Sequence, residues 1–404
     1  MREILFLAHR IPFPPDRGDK IRSHHVLRHL AALAKVHVAT FADDPDDAAA
    51  QADLAALAET CHVAERTRNL PLAGIEALLR GKPVSLTAFR DPGIAAYVAG
   101  VLRDRPIDAI YVFSGQMGQY VPADWQGRLV MDFVDVDSAK FEAYARKNSG
   151  AMRPIYSREA RLLAKEEARL AGRADVSLLV SEDEAALFRA RLGATARVAA
   201  LTNGIDAELF DPAAGKPEPN LSDWARPRLI FAGQMDYPPN VAAVVRAVTR
   251  LMPRIRAVVP EASFHVVGRS PVAQVKALDG IEGCCVWGRV EDMPAFLRAA
   301  DLALIPLEIA RGVQNKVLEA MAMALPVVAS PEAITGIGAS EGREFVSGAD
   351  DDALVQAVLA LLRDHQRAAA MGRAARRFVV EHRSWSSVLA PLSGLLFGKA
   401  CHDG

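Results

Sequence analysis

Residues 310–330, ARGVQNKVLEAMAMALPVVAS, place a lysine and a glutamate three positions apart at the start of a short amphipathic helix. An apolar strand pattern at 302–305 precedes them, Gly312 sits in the connecting loop, and a second apolar run follows at 326–329. A helix opening near Asn315 buries Val317, Leu318, Met321 and Ala322 at helical spacing and leaves Lys316 and Glu319 together on the opposite face. A helix N-terminus beyond a strand's carboxyl end presents free backbone N–H groups and partial positive charge, which suits a phosphate. Lys316 adds a full charge there, and Glu319, one turn deeper, is placed to accept hydrogen bonds from a ribose diol. The pair fits a nucleoside diphosphate; the competing reading is an ordinary helix with a solvated Lys/Glu face.

Two other clusters carry chemistry. HRIPFPPDRGDKIRSHH (9–25) is a stiff loop in which Asp19 is placed to cap the following helix and Gly18 allows close backbone approach. Arg17, Lys20 and Arg22 add positive charge beside that helix start, although a plain strand-to-helix connection explains the same residues. Asp132, Asp135 and Asp137 follow an apolar strand, and Asp135-Val136-Asp137 has the Asp-x-Asp form that holds a divalent metal in one large class of sugar-transferring enzymes. The favoured reading is that Asp135 or Asp137 lines an acceptor-side wall and that no metal is bound. His25 and His29 lie four apart without a partnering glutamate and read as surface or packing residues.

The elements that must position these residues follow one rhythm. Apolar strand patterns near 3–8, 35–41, 61–64, 108–113, 128–134, 175–180 and 196–201 alternate with helical patterns, among them a long one at 139–171. After a Pro-rich polar stretch between Thr202 and Pro227 the rhythm restarts, with strands near 228–232, 262–267, 283–287, 302–305 and 326–329. This is the signature of parallel α/β sheets. It divides the chain of 404 residues into a first domain at 1–202, a second at 203–383 and a C-terminal segment at 384–404. In doubly wound sheets ligands bind beyond the strand carboxyl ends, so two such halves facing each other would make a cleft.

Composition excludes several classes. A net charge of −1 gives no global electrostatic reason to bind nucleic acid. Four cysteines without a CxxC pair suggest neither a disulfide framework nor a zinc site, and a reducing cytoplasm is the simplest home. No apolar run approaches the ~20 residues of a membrane helix. The 139–171 pattern with Arg173 carries nine Lys/Arg against four Asp/Glu, which reads as a solvated face or as contact with anionic lipid or a lipid-diphosphate acceptor at the inner-membrane face.

The 310–330 segment resembles the donor-sugar motif of retaining glycosyltransferases of family 4, Glu-Gly-x-Gly-x-x-x-Leu-Glu-Ala-Met-Ala followed by Pro-Val-Val. Gly312, Leu318, Glu319, Ala320, Met321, Ala322, Pro326, Val327 and Val328 match, while Arg311 replaces the first glutamate and Gln314 the second glycine. Thr202-Asn203-Gly204-Ile205-Asp206 and Phe231-Ala232-Gly233 resemble further family motifs. The resemblance implies the GT-B architecture, two Rossmann-like doubly wound α/β domains facing across a cleft, with a last helix returning to the first domain. The wording PPDRGDKIR, VDVDS and QNKVLE narrows it to a bacterial subgroup associated with exopolysaccharide and PEP-CTERM/exosortase systems.

The family commonly grips the donor phosphates with an Arg and a Lys after the Phe-x-Gly strand. Here Gly233-Gln234-Met235-Asp236-Tyr237-Pro238-Pro239-Asn240 lacks both. Lys316 is expected to take over, with Arg269 or Arg289 as second cation; either arginine also reads as a surface ion-pair residue. The implied donor set is Gly18, Arg269, Arg289, Arg311, Gly312, Asn315, Lys316 and Glu319. Lys316, Asp135 and Asp137 are the catalytic candidates, and Asp19, Lys20 and Asp135 face the acceptor. Many relatives carry a histidine at the strand end where Asp135 lies, and no counterpart is evident there. The expected activity is transfer of a sugar from a UDP-, GDP- or similar nucleotide sugar to a glycan or lipid-linked acceptor, without cofactor. A nucleotide-sugar epimerase, or a non-catalytic nucleotide-sugar-binding or scaffold protein, is the alternative. A dinucleotide dehydrogenase is disfavoured by the absence of GxGxxG.

Overall fold

In a computed structural model, which describes residues 2–15, 17–66, 70–150, 152–192, 196–310 and 312–398, the chain divides into two compact units. One is Met1–Asn203 with Val388–Gly404, the other Gly204–Ser387.

The first unit is built on strands β1 (Glu3–Ala8), β2 (Lys35–Ala42), β3 (Thr60–Glu65), β4 (Ala109–Phe113), β5 (Arg128–Val134), β6 (Val176–Leu179) and β7 (Val198–Ala200). They form one parallel sheet in the order β3-β2-β1-β4-β5-β6-β7. The second unit has β8 (Arg228–Ala232), β9 (Ser263–Val267), β10 (Cys284–Gly288), β11 (Leu302–Ile305), β12 (Val327–Ala329) and β13 (Val346–Ser347) in the order β10-β9-β8-β11-β12-β13, again parallel. Every strand expected from the apolar pattern is present. The short β13 is an addition, and its two half-buried residues carry too little apolar signal to announce it. Strands β1, β4, β8 and β9 are buried at every position, as parallel strands covered on both faces must be.

Helices depart from the sequence pattern in one place that matters. The stretch 139–171 is two helices, Asp137–Lys147 and Met152–Ala171. Asn148 turns extended (φ −102°, ψ 151°) with its side-chain amide donating to the Tyr144 carbonyl at 2.9 Å, and Gly150 follows at φ +68°. A left-handed glycine stops a helix without steric cost. The two arms keep compatible apolar spacing, so the break leaves no trace in the periodicity.

The charged residues of the 9–25 loop are largely structural. Arg22 is 1% exposed; its Nε and Nη2 donate to Asp132 at 3.0 and 3.2 Å, and its Nη1 donates to the Leu201 carbonyl at 2.7 Å and to Asn203 Oδ1 at 3.0 Å. Tyr111 donates its hydroxyl to Asp132 at 2.8 Å, and burial raises the pKa of that hydroxyl well above its ordinary value. This network ties the helix Gly18–Leu33 to β4, β5 and the chain beyond β7. Lys20, expected to face an acceptor, is instead buried in an ion pair with Asp47. Its long stem reaches back into the layer between the helix and the segment after β2, where only a carboxylate makes a buried ammonium tolerable.

Removing one partner of such a pair leaves an uncompensated buried charge. Asp132→Ala is expected to lower the unfolding free energy by about 3–5 kcal/mol, read from urea denaturation. Arg103→Ala, which breaks an exposed pair with the neighbouring Asp104, should leave the urea midpoint essentially where it was.

Candidate functional site

In the second unit the strand order reverses between β8 and β11, so the connections leaving these two strands diverge to opposite faces and open a crevice at their carboxyl ends. From β8 the chain runs through Gly233 into the helix Pro238–Arg246; from β11 it runs into the helix Asn315–Ala322. Lys316 and Glu319, expected on the second connection, lie on this helix.

Lys316 projects from the first turn of its helix toward Phe231, with its ammonium 5.4 Å from the ring centroid. Its Nζ donates to Asn240 Oδ1 at 2.8 Å and lies 3.5 Å from Gln314 Oε1. Asn240, 4% exposed, is held in turn by its Nδ2, which donates to the Gln234 carbonyl at 2.8 Å. Among the described residues no carboxylate ion-pairs with the lysine. Burial lowers its pKa to about 8, and the nearby Glu319 offsets this only in part. Burial likewise raises the Glu319 carboxyl to about 7 against the opposing pull of Lys316. The Glu319 carboxylate has no hydrogen-bond partner among the described residues, which leaves its acceptor positions open.

Two glycines make the approach of these groups possible. A Cβ on Gly233 would lie 2.9 Å from Asn240 Nδ2 and 3.2 Å from Lys316 Cε. A Cβ on Gly268, which stands at φ +153°, would lie 1.6 Å from the Gly233 carbonyl oxygen. The ends of β8 and β9 therefore cross at bare backbone, and the floor under Lys316 depends on it. Gly312 has a different role: it is exposed, sits at φ +63° with nothing near its Cβ direction, and serves the turn. Asn315 is exposed and begins the helix after Gln314, whose side chain does not cap it.

The other expected donor residues are placed as follows. Arg269 is exposed after β9, with Nη2 donating to Gln234 Oε1 at 3.1 Å, so it borders the same loop. Arg289 is exposed after β10, the edge strand, two strands away from β8, and forms no ion pair among the described residues. Arg311 lies outside the described residues. Asn240, which positions the lysine, was missed in the sequence; a polar residue at a buried position of a helix is its only signal. A separate groove of about 700 Å³, bordered by Arg226, Asp301 and Leu325, opens at the amino ends of β8, β11 and β12, the opposite edge from these groups.

In the first unit the order reverses between β1 and β4. His9 follows β1 and stacks on Phe113 at the end of β4, with centroids 5.8 Å apart and rings 8° from parallel. Its Nε2 lies 3.3 Å from Asp19, while its buried Nδ1 has no hydrogen-bond partner. Asp19 is not a helix cap: Arg17 occupies the cap position without a side-chain bond. Burial would raise the Asp19 carboxyl, but His9 and Arg10 hold it well below the usual carboxylate range. Gly18 opens the helix with nothing near its Cβ direction, so it makes no close backbone approach within the chain. Asp135 is exposed after β5. Asp137 opens the next helix, with Gln116 Nε2 donating to it at 3.4 Å. Its carboxyl is raised by burial and by Asp135, against Lys140 and His9. His9 and Asp137 are thus electrostatic neighbours. Val134 at φ +69° and Ser114 at φ +77° are strained non-glycine residues at this same edge.

Comparison with known proteins gives three findings. Residues 226–364 match the family model of glycosyl transferases group 1. Over 249 residues the chain is 30% identical to the GDP-mannose-dependent alpha-(1-6)-phosphatidylinositol monomannoside mannosyltransferase of Mycolicibacterium smegmatis, covering 57% of this chain and 64% of that protein. It is 29% identical over 246 residues to the GDP-mannose-dependent monoacylated counterpart of Corynebacterium glutamicum, covering 55% and 62%. The chain thus spans somewhat under two thirds of the length of these relatives. Among solved structures it is similar to Anabaena HepE in complex with UDP and glucose (TM-score 0.61, 16% identity, 98% and 99% coverage) and to WaaG, a glycosyltransferase involved in lipopolysaccharide biosynthesis (TM-score 0.57, 17% identity, 98% and 100%). The fold is α/β, with two parallel sheets of Rossmann-like type, and its structural neighbours are GT-B glycosyltransferases.

The geometry makes Lys316 the tunable group of this site. Its ammonium should titrate near 8 in side-chain carbon NMR. Asn240→Leu, which removes the carbonyl that stabilises the charged form, should move the midpoint lower still.

Proposed function

We propose that this protein is a glycosyltransferase that moves a sugar from a nucleoside-diphosphate sugar to a glycan or lipid-linked acceptor. The observation that carries this reading is the Lys316 ammonium, held by Asn240 without a carboxylate partner at the crevice edge of a segment that matches glycosyl transferases group 1. A half-buried cation without a counter-ion is a site for an anionic ligand. The donor diphosphate pairs with Lys316 and the helix start at Asn315, with Arg269 as second cation. Glu319 accepts the ribose hydroxyls. As the bond between sugar and diphosphate breaks, negative charge grows on the leaving phosphate, and Lys316 stabilises it where it develops. His9 and Asp137 are the acceptor-side groups in the first unit. Transfer with retention, metal independence, a role in exopolysaccharide synthesis of the PEP-CTERM/exosortase type, and work at the cytoplasmic face of the inner membrane complete the reading. These rest on the motif resemblance in the sequence.

A panel of UDP, GDP and their sugars in thermal shift, with and without EDTA, tests the donor site. A nucleotide at ~100 times its dissociation constant should stabilise by about 2.7 kcal/mol. Glu319→Gln should weaken that binding by about 1.5–3 kcal/mol. The absence of a shift from every nucleotide would sink the reading. Binding without transfer or donor hydrolysis would favour the non-catalytic alternative suggested by Arg311 and Gln314 in the changed donor loop.

Donor affinity should also be bell-shaped in pH. A bound diphosphate raises the lysine's pKa, so its contribution is fully present below about 8 and is lost as pH rises from there through the raised, bound value. Ribose hydroxyls donating to the carboxylate lower the glutamate's pKa, so that contribution is fully present above about 7 and is lost as pH falls from there through the lowered, bound value. Calorimetric titration from pH 5.5 to 9.5 should show both limbs, and Lys316→Arg should abolish the alkaline one.

A further inference from the structure

The helical hairpin Asp137–Lys147 and Met152–Ala171 of the first unit carries an aromatic cluster that the donor chemistry does not use. The break at Asn148 and Gly150 folds the second arm back along the first, and Tyr156 then meets Phe141 and Tyr144. Ring centroids lie 5.7 Å apart for Phe141 and Tyr144, 6.1 Å for Phe141 and Tyr156, and 5.7 Å for Tyr144 and Tyr156. The rings are inclined to one another by 80°, 50° and 54°, so they cover less of each other's faces than a stack would. None of the three belongs to the apolar core of the first unit or to the partly buried side chains packed on it. Tyr144 is 39% exposed, and Phe141 and Tyr156 are half-buried. The two phenol hydroxyls form no hydrogen bond among the described residues.

The cluster continues a face that begins at the acceptor-side edge. Asp137, Phe141 and Tyr144 are spaced four and three apart, so they form one stripe along the first arm. At about 1.5 Å per residue the two rings lie roughly 6 and 10 Å along the axis from Asp137, the span of a short saccharide chain rather than of one sugar. Beside Asp137 the stripe opens into a recess walled by Leu86, Gln116, Phe133 and Asp135.

The hairpin holds these rings in place before anything binds. Glu142 of the first arm is gripped by both terminal nitrogens of Arg191, at 2.9 and 2.6 Å. Buried Glu159 of the second arm accepts amide hydrogen bonds from Val84 and Ser85, each at 2.9 Å, and buried Glu167 accepts from the Ser138 amide at 2.9 Å. A platform ordered in advance loses less entropy on binding. Its chemistry suits a sugar: the C–H face of a pyranose packs on an aromatic ring, while its hydroxyls bond to phenols and side-chain amides at the rim. An acyl chain would cover the same rings but leave the phenols without partners.

We propose that Phe141, Tyr144 and Tyr156 form a subsite for the inner sugars of an oligosaccharide acceptor whose terminal residue lies beside Asp137. This rests on the transferase reading and specifies its acceptor as a saccharide chain. The test is binding of the full chain, without nucleotide, to an array of bacterial glycans graded from monosaccharides to hexasaccharides, beside Tyr144→Ala, Tyr156→Ala and the double variant. The wild type should retain oligosaccharides and not the monosaccharides of the same series. Each alanine variant should weaken the titrated affinity for a retained glycan about three- to tenfold, and Tyr144→Trp should keep it. The variants should also keep the wild-type thermal unfolding curve and its shift with nucleotide, because the rings lie outside the core and Lys316 and Glu319 lie in the second unit. Should Tyr156→Ala lower that curve, the more exposed Tyr144 carries the comparison. Retention of no oligosaccharide, equal retention by the double variant, or equal retention of the monosaccharides overturns the proposal, even where nucleotide binding stands. Ring-dependent retention in a protein that responds to no nucleotide would keep the saccharide subsite and sink the donor reading.

Discussion

A half-buried ammonium without a carboxylate to neutralise it is the constraint around which the second unit is arranged. Taking Lys316 out of water disfavours its charge, and the nearby Glu319 offsets that cost only in part, while Asn240 Oδ1 accepts a hydrogen bond from the ammonium at 2.8 Å. An acid paired directly with the ammonium would have neutralised it. The neighbours instead hold the lysine in place without cancelling it. Gly233 leaves room for its stem, Gly268 lets the ends of β8 and β9 cross, and Gln234 fixes Asn240 through its carbonyl. Glu319, the carboxylate in electrostatic reach among the described residues, is itself pushed toward neutrality by burial. The pair is poised by desolvation, with the lysine near 8 and the glutamate near 7.

The first unit handles buried charge in the opposite way. Arg22 is saturated by Asp132, Asn203 and a carbonyl, and Lys20 by Asp47. These residues stand beside a helix N-terminus in the sequence, which is the usual place for phosphate ligands. Their complete pairing makes them struts between the helix Gly18–Leu33 and the sheet. What remains open at that edge is smaller: the Nδ1 of His9 and a partly buried Asp137. The same residue types thus stand without a carboxylate partner in one unit and serve architecture in the other, and the presence of a counter-ion is what separates them.

The helical hairpin shows a third arrangement, in which the acids are consumed by internal bonds and the cations are left on the outside. Charge count alone cannot separate this from a balanced surface. The distinction lies in which carboxylates face inward, a property of packing.

The alternation of apolar strands with amphipathic helices, the restart after Pro227 and the motif around Glu319 were legible in the chain itself. Strand periodicity and helix periodicity are local properties, and a parallel sheet buried on both faces writes them plainly. The same local reading put Lys316 and Glu319 on one helix, because three-residue spacing on a helix is also local. It could not find Asn240, which meets Lys316 only because the strand order reverses between β8 and β11, nor His9, whose electrostatic influence on Asp137 acts across the ends of β1, β4 and β5. It also misjudged Lys20 and Asp19, since whether a charged residue near a loop faces ligand or a buried carboxylate depends on partners 27 and 9 residues away. Local periodicity carries the elements; the pairing of charges over long sequence distances is decided only when those elements pack.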